Sequence, residues 1–169
     1  MEATTDREPS LWAVLVLAGT AAVLYAADQL TKAAVVAGLP LGERIEVIGD
    51  TVQLWHVQNR GAAFSLFQGE LWLFLVVTVL ALGMIAYFHR TLRERTPWLQ
   101  VILGTILGGT LGNLTDRLRF GYVVDFVSVG VGDLRWPTFN VADSAIVVGI
   151  GLLVAYLTFA DRQREAHEG

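Results

Sequence analysis

Four long stretches without a charged side chain limit what this 169-residue chain can become: Leu11 to Ala27, Leu71 to Phe88, Trp98 to Thr115 and Ser144 to Ala160. Each holds about 17 or 18 residues, and at a rise of about 1.5 Å per residue each reaches across the ~30 Å hydrocarbon core of a bilayer once its flanks are added. The expected fold is an all-α polytopic membrane protein with four transmembrane helices, spans about 11–28, 71–88, 98–115 and 142–160. Composition agrees, because 54% hydrophobic and 17% charged residues is too apolar a balance for a soluble charged module or a disordered chain. At this length one domain is expected to cover residues 1–169. The first run lacks the marks of a cleaved leader: Glu2, Asp6 and Glu8 outnumber Arg7 before it, and Tyr25 stands where cleavage needs a small residue. A retained span is expected.

Four spans put both termini on one side, together with the connection from His89 to Pro97. The density of Arg90, Arg93 and Arg95 in that short loop assigns this side to the cytoplasm. Elsewhere basic residues do not decide the matter, since Arg7, Arg162 and Arg164 on that side face Lys32, Arg44, Arg60, Arg117, Arg119 and Arg135 on the other. The extracytoplasmic segments are about 38–69 and 117–140. In the first of these, Ile45, Val47, Val52 and Leu54 recur with strand-like spacing around Gly49-Asp50, the pattern of a hairpin. The second holds Tyr122 to Val129, β-branched and aromatic, which either adds a strand or lies along the membrane interface. A small extracytoplasmic β-sheet and an interfacial loop are therefore expected.

Charge and cysteine content exclude other functions. Twelve Lys and Arg against 16 Asp and Glu give a net charge of -4 without a basic block, which argues against a nucleic-acid partner. The absence of cysteine removes disulfides, a thiol nucleophile and thiolate metal sites. With three scattered histidines, chemistry falls to Asp, Glu, Ser or Lys, and neither metal nor cofactor is expected.

Charged groups in or beside spans cost about 2.5–3.5 kcal/mol each at a helix centre, so they turn to a protein interior or cavity. Asp28 and Lys32, the latter the sole lysine, stand at i, i+4 in the favourable acid-first order, as a salt bridge on one helix face. In the third run Gly104, Gly108 and Gly112 make a face that another helix can approach closely. That face continues to Asp116, next to Asn113 and Arg117; a structural network of Asp116 with Arg117 or Arg119 is its bland reading. Asn140 is a good N-cap for the fourth run, and Asp143 three positions later fits the acidic partner of a capping box. Asp125, within Val123-Val124-Asp125-Phe126-Val127, has no local cation and no evident cap to make.

Two carboxylates brought together at a membrane face have a chemistry of their own. Like charges close together resist double ionisation, so a protonated acid sits beside an ionised base. The base takes a proton from water as it attacks a peptide carbonyl; the acid stabilises the oxyanion and helps protonate the leaving amine.

The order and spacing of five motifs resemble the lipoprotein signal peptidase family, also called signal peptidase II. They are Asp28-Gln29-Leu30-Thr31-Lys32, Asn59-Arg60-Gly61-Ala62-Ala63-Phe64-Ser65, Gly108 through Leu118, Val123-Val124-Asp125-Phe126 and Phe139-Asn140-Val141-Ala142-Asp143-Ser144. The resemblance implies a metal-independent aspartic endopeptidase of the bacterial cytoplasmic (inner) membrane, with its active site near the outer face and both termini cytoplasmic. It implies cleavage of signal peptides from diacylglyceryl-modified prolipoproteins, on the amino side of the lipidated lipobox cysteine. By motif position Asp125 and Asp143 match the catalytic dyad. Asp28, Lys32, Asn59, Gly61, Asn113, Arg117 and Asn140 match positions of substrate binding or site support. Partners are then lipid-modified precursors and membrane lipids, and the protein is expected as a monomer. The outer hairpin with Trp55 would form an amphiphilic platform over the site, and Arg60 would influence subsite preference. Against this stand a Ser/Lys peptidase using Lys32 with Ser65 or Ser144, a small proton-coupled transporter or channel subunit with a relay through Asp28, Asp116, Asp125 and Asp143, and a purely structural membrane assembly protein packed through its glycine face.

Overall fold

The computed structural model describes residues 11–61, 71–91 and 96–168. Outside it lie the acidic N-terminal tail, the Ala62 to Ser65 part of the small-residue loop and the Arg93-Glu94-Arg95 cluster. The four apolar runs form the helices α1 (Leu11–Gly38), α2 (Leu71–Thr91), α3 (Pro97–Phe120) and α4 (Val141–Glu168). Between them lie β1 (Arg44–Ile48), β2 (Val52–Asn59), β3 (Val123–Val131) and β4 (Leu134–Arg135). Helix α1 continues unbroken past the expected span, so Asp28 and Lys32 share one helix face, as their spacing implies.

Three of these helices, Leu11–Gly38, Phe74–Thr91 and Val141–Phe159, are long and apolar enough to cross a membrane. The four expected spans are thus not all confirmed, because α3 falls short in apolarity although its 24 residues make it about 36 Å long. The cause is position. α3 packs against α1, α4 and, less extensively, α2, and its buried residues include Leu99, Leu103, Gly104, Gly108, Gly109, Gly112, Asn113 and Asp116. A helix surrounded by helices needs small residues for close approach, whereas those facing lipid need aliphatic ones.

The ends of α3 follow local rules. Thr96 caps it by accepting a hydrogen bond from the Leu99 N–H (3.4 Å), with Pro97 in the first turn where no N–H is needed. Gly121, at φ 74°, closes it in the left-handed conformation and donates to Arg117 O at 3.0 Å.

The expected glycine face is present. A methyl group on Gly104 would lie 2.5 Å from Leu17 O and one on Gly108 2.6 Å from Ala21 O, so α1 rides directly on α3. Gly109 does the same for α4, with Ala142 O at 2.5 Å from the position of an added Cβ. Because Ala142 O belongs to a backbone that cannot swing aside, Gly109→Ala is expected to cost about 1–3 kcal/mol in thermal unfolding in detergent. Gly83→Ala on α2, where an added Cβ meets nothing within 4 Å, is the control; equal melting temperatures for the two variants would contradict this packing account.

The strands form one antiparallel sheet in the order β1-β2-β3-β4. The expected hairpin is β1–β2, with Gly49 in the turn at φ 47°. Tyr122 to Val129 resolves in favour of a strand: β3 pairs with β2, setting Val57 opposite Asp125 and Asn59 opposite Val123. A bulge in β2 between Leu54 and Val57 precedes this pairing, a device that re-aims side chains beyond it. Val123 to Phe126 are buried against the helix ends, so this stretch of β3 is apolar on both faces except for Asp125.

Candidate active site

Every sequence-predicted site residue except Gly61 and Arg117 is bonded into one continuous cluster through side chains, built where α1, α3, β2, β3 and α4 meet. Asn140 and Asp143 make the expected capping box: the Asp143 N–H donates to Asn140 Oδ1 (2.9 Å), and the Asn140 N–H donates to Asp143 Oδ2 (3.2 Å). The bland role of Asp143 is therefore real. Its other oxygen, Oδ1, accepts from Asn113 Nδ2 at 2.7 Å. Asp125 accepts from Asn140 Nδ2 at 2.7 Å and from Asn59 Nδ2 at 2.9 Å. Asn140 thus touches both acids, one through its amide group and the other through the helix cap.

Asp125 is 1% exposed. Burial pushes its carboxyl up to about 7, and the nearby Asp143 carboxylate pushes the same way, while hydrogen bonds from Asn59 and Asn140 and the charge of Lys32 pull it back. An unfolded Asp ionises near 3.9. Folding therefore retains a proton that the unfolded chain gives up, and the associated stability, complete below about pH 4, is lost as pH rises toward and through about 7. Melting temperatures from pH 4 to 8 should fall more steeply for the wild type than for Asp125→Asn; parallel curves would show that Asp125 does not hold the proton.

Beneath this pair lies a second buried group. Lys32 Nζ lies 2.8 Å from Asp28 Oδ2 and 3.0 Å from Asp116 Oδ2, and donates to Asn113 Oδ1 at 3.0 Å. The expected Asp28–Lys32 bridge is present. Asp116 does not turn to Arg117 or Arg119 for its ion pair but to Lys32, and it also accepts from the Val124 N–H at 3.1 Å, next to Asp125. Asp28 reaches in the other direction, accepting from the Ala142 N–H at 2.9 Å in the first turn of α4. The lysine group thus pins the backbone on the near side of each acid.

Gly61 donates its N–H to Asn59 Oδ1 at 3.0 Å, which fixes the amide that donates to Asp125. Arg117 donates to Asn113 O at 3.3 Å and lies 4.1 Å from the Phe74 ring centre. Gln29 escaped the sequence reading: its Nε2 donates to Asp116 Oδ1 (3.0 Å) and Asp28 Oδ2 (3.2 Å), joining the two acids of the lysine group. Its adjacency to Asp28 was the available signal. Phe74 had none, since one aromatic in an apolar run looks like its neighbours.

Of the Ser/Lys alternatives, Ser65 lies outside the described residues, and Ser144 donates to Asn140 O at 3.0 Å. Lys32 is occupied by Asp28, Asp116 and Asn113, so no pair with Ser144 forms. Among the described residues no group of three or more His, Asp or Glu side chains has the arrangement to hold a metal ion.

A cavity of about 570 Å³ lies between α2, α3 and α4. Val77, Ile85, Leu103, Ile106 and Leu153 are among its apolar walls, and Asn113 and Arg117 also line it. Since Asn113 holds Asp143, the apolar groove reaches the polar cluster.

The family model described as Signal peptidase (SPase) II matches residues 20–159. A lipoprotein signal peptidase of Shouchella clausii is 41% identical over 145 residues, covering 86% of this chain and 94% of the relative. One of Halothermothrix orenii is 42% identical over 131 residues, covering 77% and 86%. A solved bacterial membrane enzyme is similar with a TM-score of 0.76 and 29% identity, covering 87% of each chain. The chain belongs to the signal peptidase II family.

Proposed function

We propose that this protein is an aspartic endopeptidase that removes signal peptides from diacylglyceryl-modified prolipoproteins, cutting on the amino side of the lipidated cysteine. The observation that carries the reading is the pairing of Asp125 and Asp143 around Asn140: two acids from different elements, one bearing a strongly raised affinity for its proton. Family membership supplies the substrate class, because the relatives are lipoprotein signal peptidases.

In this mechanism the dyad shares one proton in the resting enzyme. The ionised carboxylate removes a proton from water as the water oxygen bonds to the scissile carbonyl carbon. The protonated carboxyl donates to the developing oxyanion. Collapse of the tetrahedral intermediate breaks the C–N bond, the amine of the lipidated cysteine takes a proton, and the dyad returns to its one-proton state. Asn59, Asn113 and Asn140 hold the two carboxyls in register. Asp28 and Asp116, bridged by Lys32, hold the two backbones beneath them.

The apolar groove between α2, α3 and α4 suits a signal helix or acyl chain arriving from the bilayer. Its size falls in the usual range for ligand pockets, about 300–1,000 Å³. The reading includes α3 as a fourth span enclosed by the others, a single domain and a monomer. It places the protein in the bacterial inner membrane with cytoplasmic termini and the dyad near the outer face, and the sheet over the site as a platform.

The test is incubation of purified protein, in detergent, with a diacylglyceryl-modified precursor and with the same precursor unlipidated. The expected result is a product whose mass begins at the lipidated cysteine, formed from the lipidated precursor alone. No cleavage, or cleavage elsewhere, would overturn the reading, and proton flux in vesicles without cleavage would favour the relay through the four aspartates.

A further inference from the structure

Arg117 is placed unusually for a guanidinium beside an apolar groove. It lines the cavity, and among the described residues its one hydrogen bond runs from Nη1 to Asn113 O at 3.3 Å. A guanidinium carries five N–H donors, so most of its donor capacity is not used by hydrogen bonds to described residues. What holds the group from the other side is a ring: Arg117 Cζ lies 4.1 Å from the centre of Phe74, on α2. That contact is well within the ~6 Å reach of a cation–π interaction.

The two contacts come from different walls. Asn113 and Arg117 belong to α3, whose Asn113 also donates to Asp143, while Phe74 belongs to α2 on the far side of the groove. The charge is therefore suspended between the wall that carries the dyad support and the wall that does not. A long, flexible side chain would otherwise sample many rotamers there and lose that freedom when a ligand arrives.

We propose that Phe74 is a positioning residue for Arg117, holding the guanidinium so that its remaining donors meet the backbone carbonyls of the incoming signal peptide. The proposal rests on the peptidase reading above and adds a specific role for α2. Phe74 acts through Arg117 and touches none of the reacting atoms. Its loss weakens substrate capture and leaves the bond-breaking step in place.

The experiment compares initial rates on the lipidated precursor for wild type, Phe74→Leu, Phe74→Tyr, Arg117→Gln and the double variant Phe74→Leu/Arg117→Gln. Circular dichroism and thermal melts accompany each. Leucine keeps apolar bulk but has no π face, so KM is expected to rise about 2- to 30-fold, the factor a cation–π contact supplies, with kcat within about twofold. Tyrosine keeps the π face and should restore KM. In the Arg117→Gln background, Phe74→Leu should add nothing. An active wild type with unchanged KM in Phe74→Leu overturns the proposal alone, as does an equal KM rise in the Arg117→Gln background. A Phe74→Tyr variant no better than Phe74→Leu also overturns it. A wild type inert on the lipidated precursor overturns the peptidase reading, and this proposal falls with it.

Discussion

Asp125→Asn and Asp143→Asn are each expected to lower precursor cleavage by about 10²–10⁴-fold, the usual contribution of a positioned acid or base. An amide can neither take a proton from water nor give one to an oxyanion, so in the proposed mechanism either replacement ends the one-proton exchange. The structural consequences differ. Asp143 accepts from the Asn140 N–H and from Asn113 Nδ2, and the carbonyl of an asparagine preserves one of these bonds, so the cap of α4 is weakened and not lost. Asp125 accepts amide N–H groups on both oxygens. An asparagine there presents its own NH₂ to one of those donors, and both are held, Asn59 by the Gly61 N–H and Asn140 by the Asp143 N–H, so one of the two bonds is lost. Rates measured beside melting temperatures separate the two effects. A folded variant of either kind with wild-type turnover would remove that aspartate from the mechanism.

Lys32→Met is expected to destabilise the fold by about 3–5 kcal/mol, because it leaves charged partners buried without compensation. Lys32 is 3% exposed, Asp28 0% and Asp116 2%, so water cannot replace the ammonium. The two acids hold the Ala142 and Val124 N–H groups, and their mutual repulsion would be transmitted to the first turn of α4 and to β3. The variant Lys32→Met/Asp28→Asn/Asp116→Asn removes charge from all three positions and should recover a large part of the loss. Denaturant unfolding in mixed micelles reads both. A single variant within about 1 kcal/mol of wild type would show the ion group to be far less consequential than its burial indicates.

The sequence made local geometry legible and left distant partnership obscure. The i, i+4 spacing of Asp28 and Lys32, the capping spacing of Asn140 and Asp143, the glycine face of α3 and the alternation in β1–β2 are each determined within a few residues, and each is present. Asp116 was misread because its neighbours Arg117 and Arg119 offered a nearby answer, whereas its partner Lys32 lies on another helix. The same distance hid Gln29 from Asp116, separated by 87 residues, and Phe74 from Arg117. The expectation of a span at α3 went unconfirmed for a related reason: a helix packed against three others carries small residues, which lower its apolar character. Taken by itself Asp125 showed only that it had no local partner, and family resemblance was needed to pair it with Asp143.

Binding of a lipopeptide whose scissile amide is replaced by a non-cleavable hydroxyl-bearing isostere tests the two-aspartate account most directly. The hydroxyl mimics the tetrahedral intermediate, and such mimics bind enzymes about 10² or more tighter than substrates. The account predicts that gain, relative to the same lipopeptide with a methylene in place of the hydroxyl carbon, in wild type and its disappearance in Asp125→Asn and Asp143→Asn. Equal affinity for the two lipopeptides in wild type, or a gain that persists in both folded variants, would contradict it.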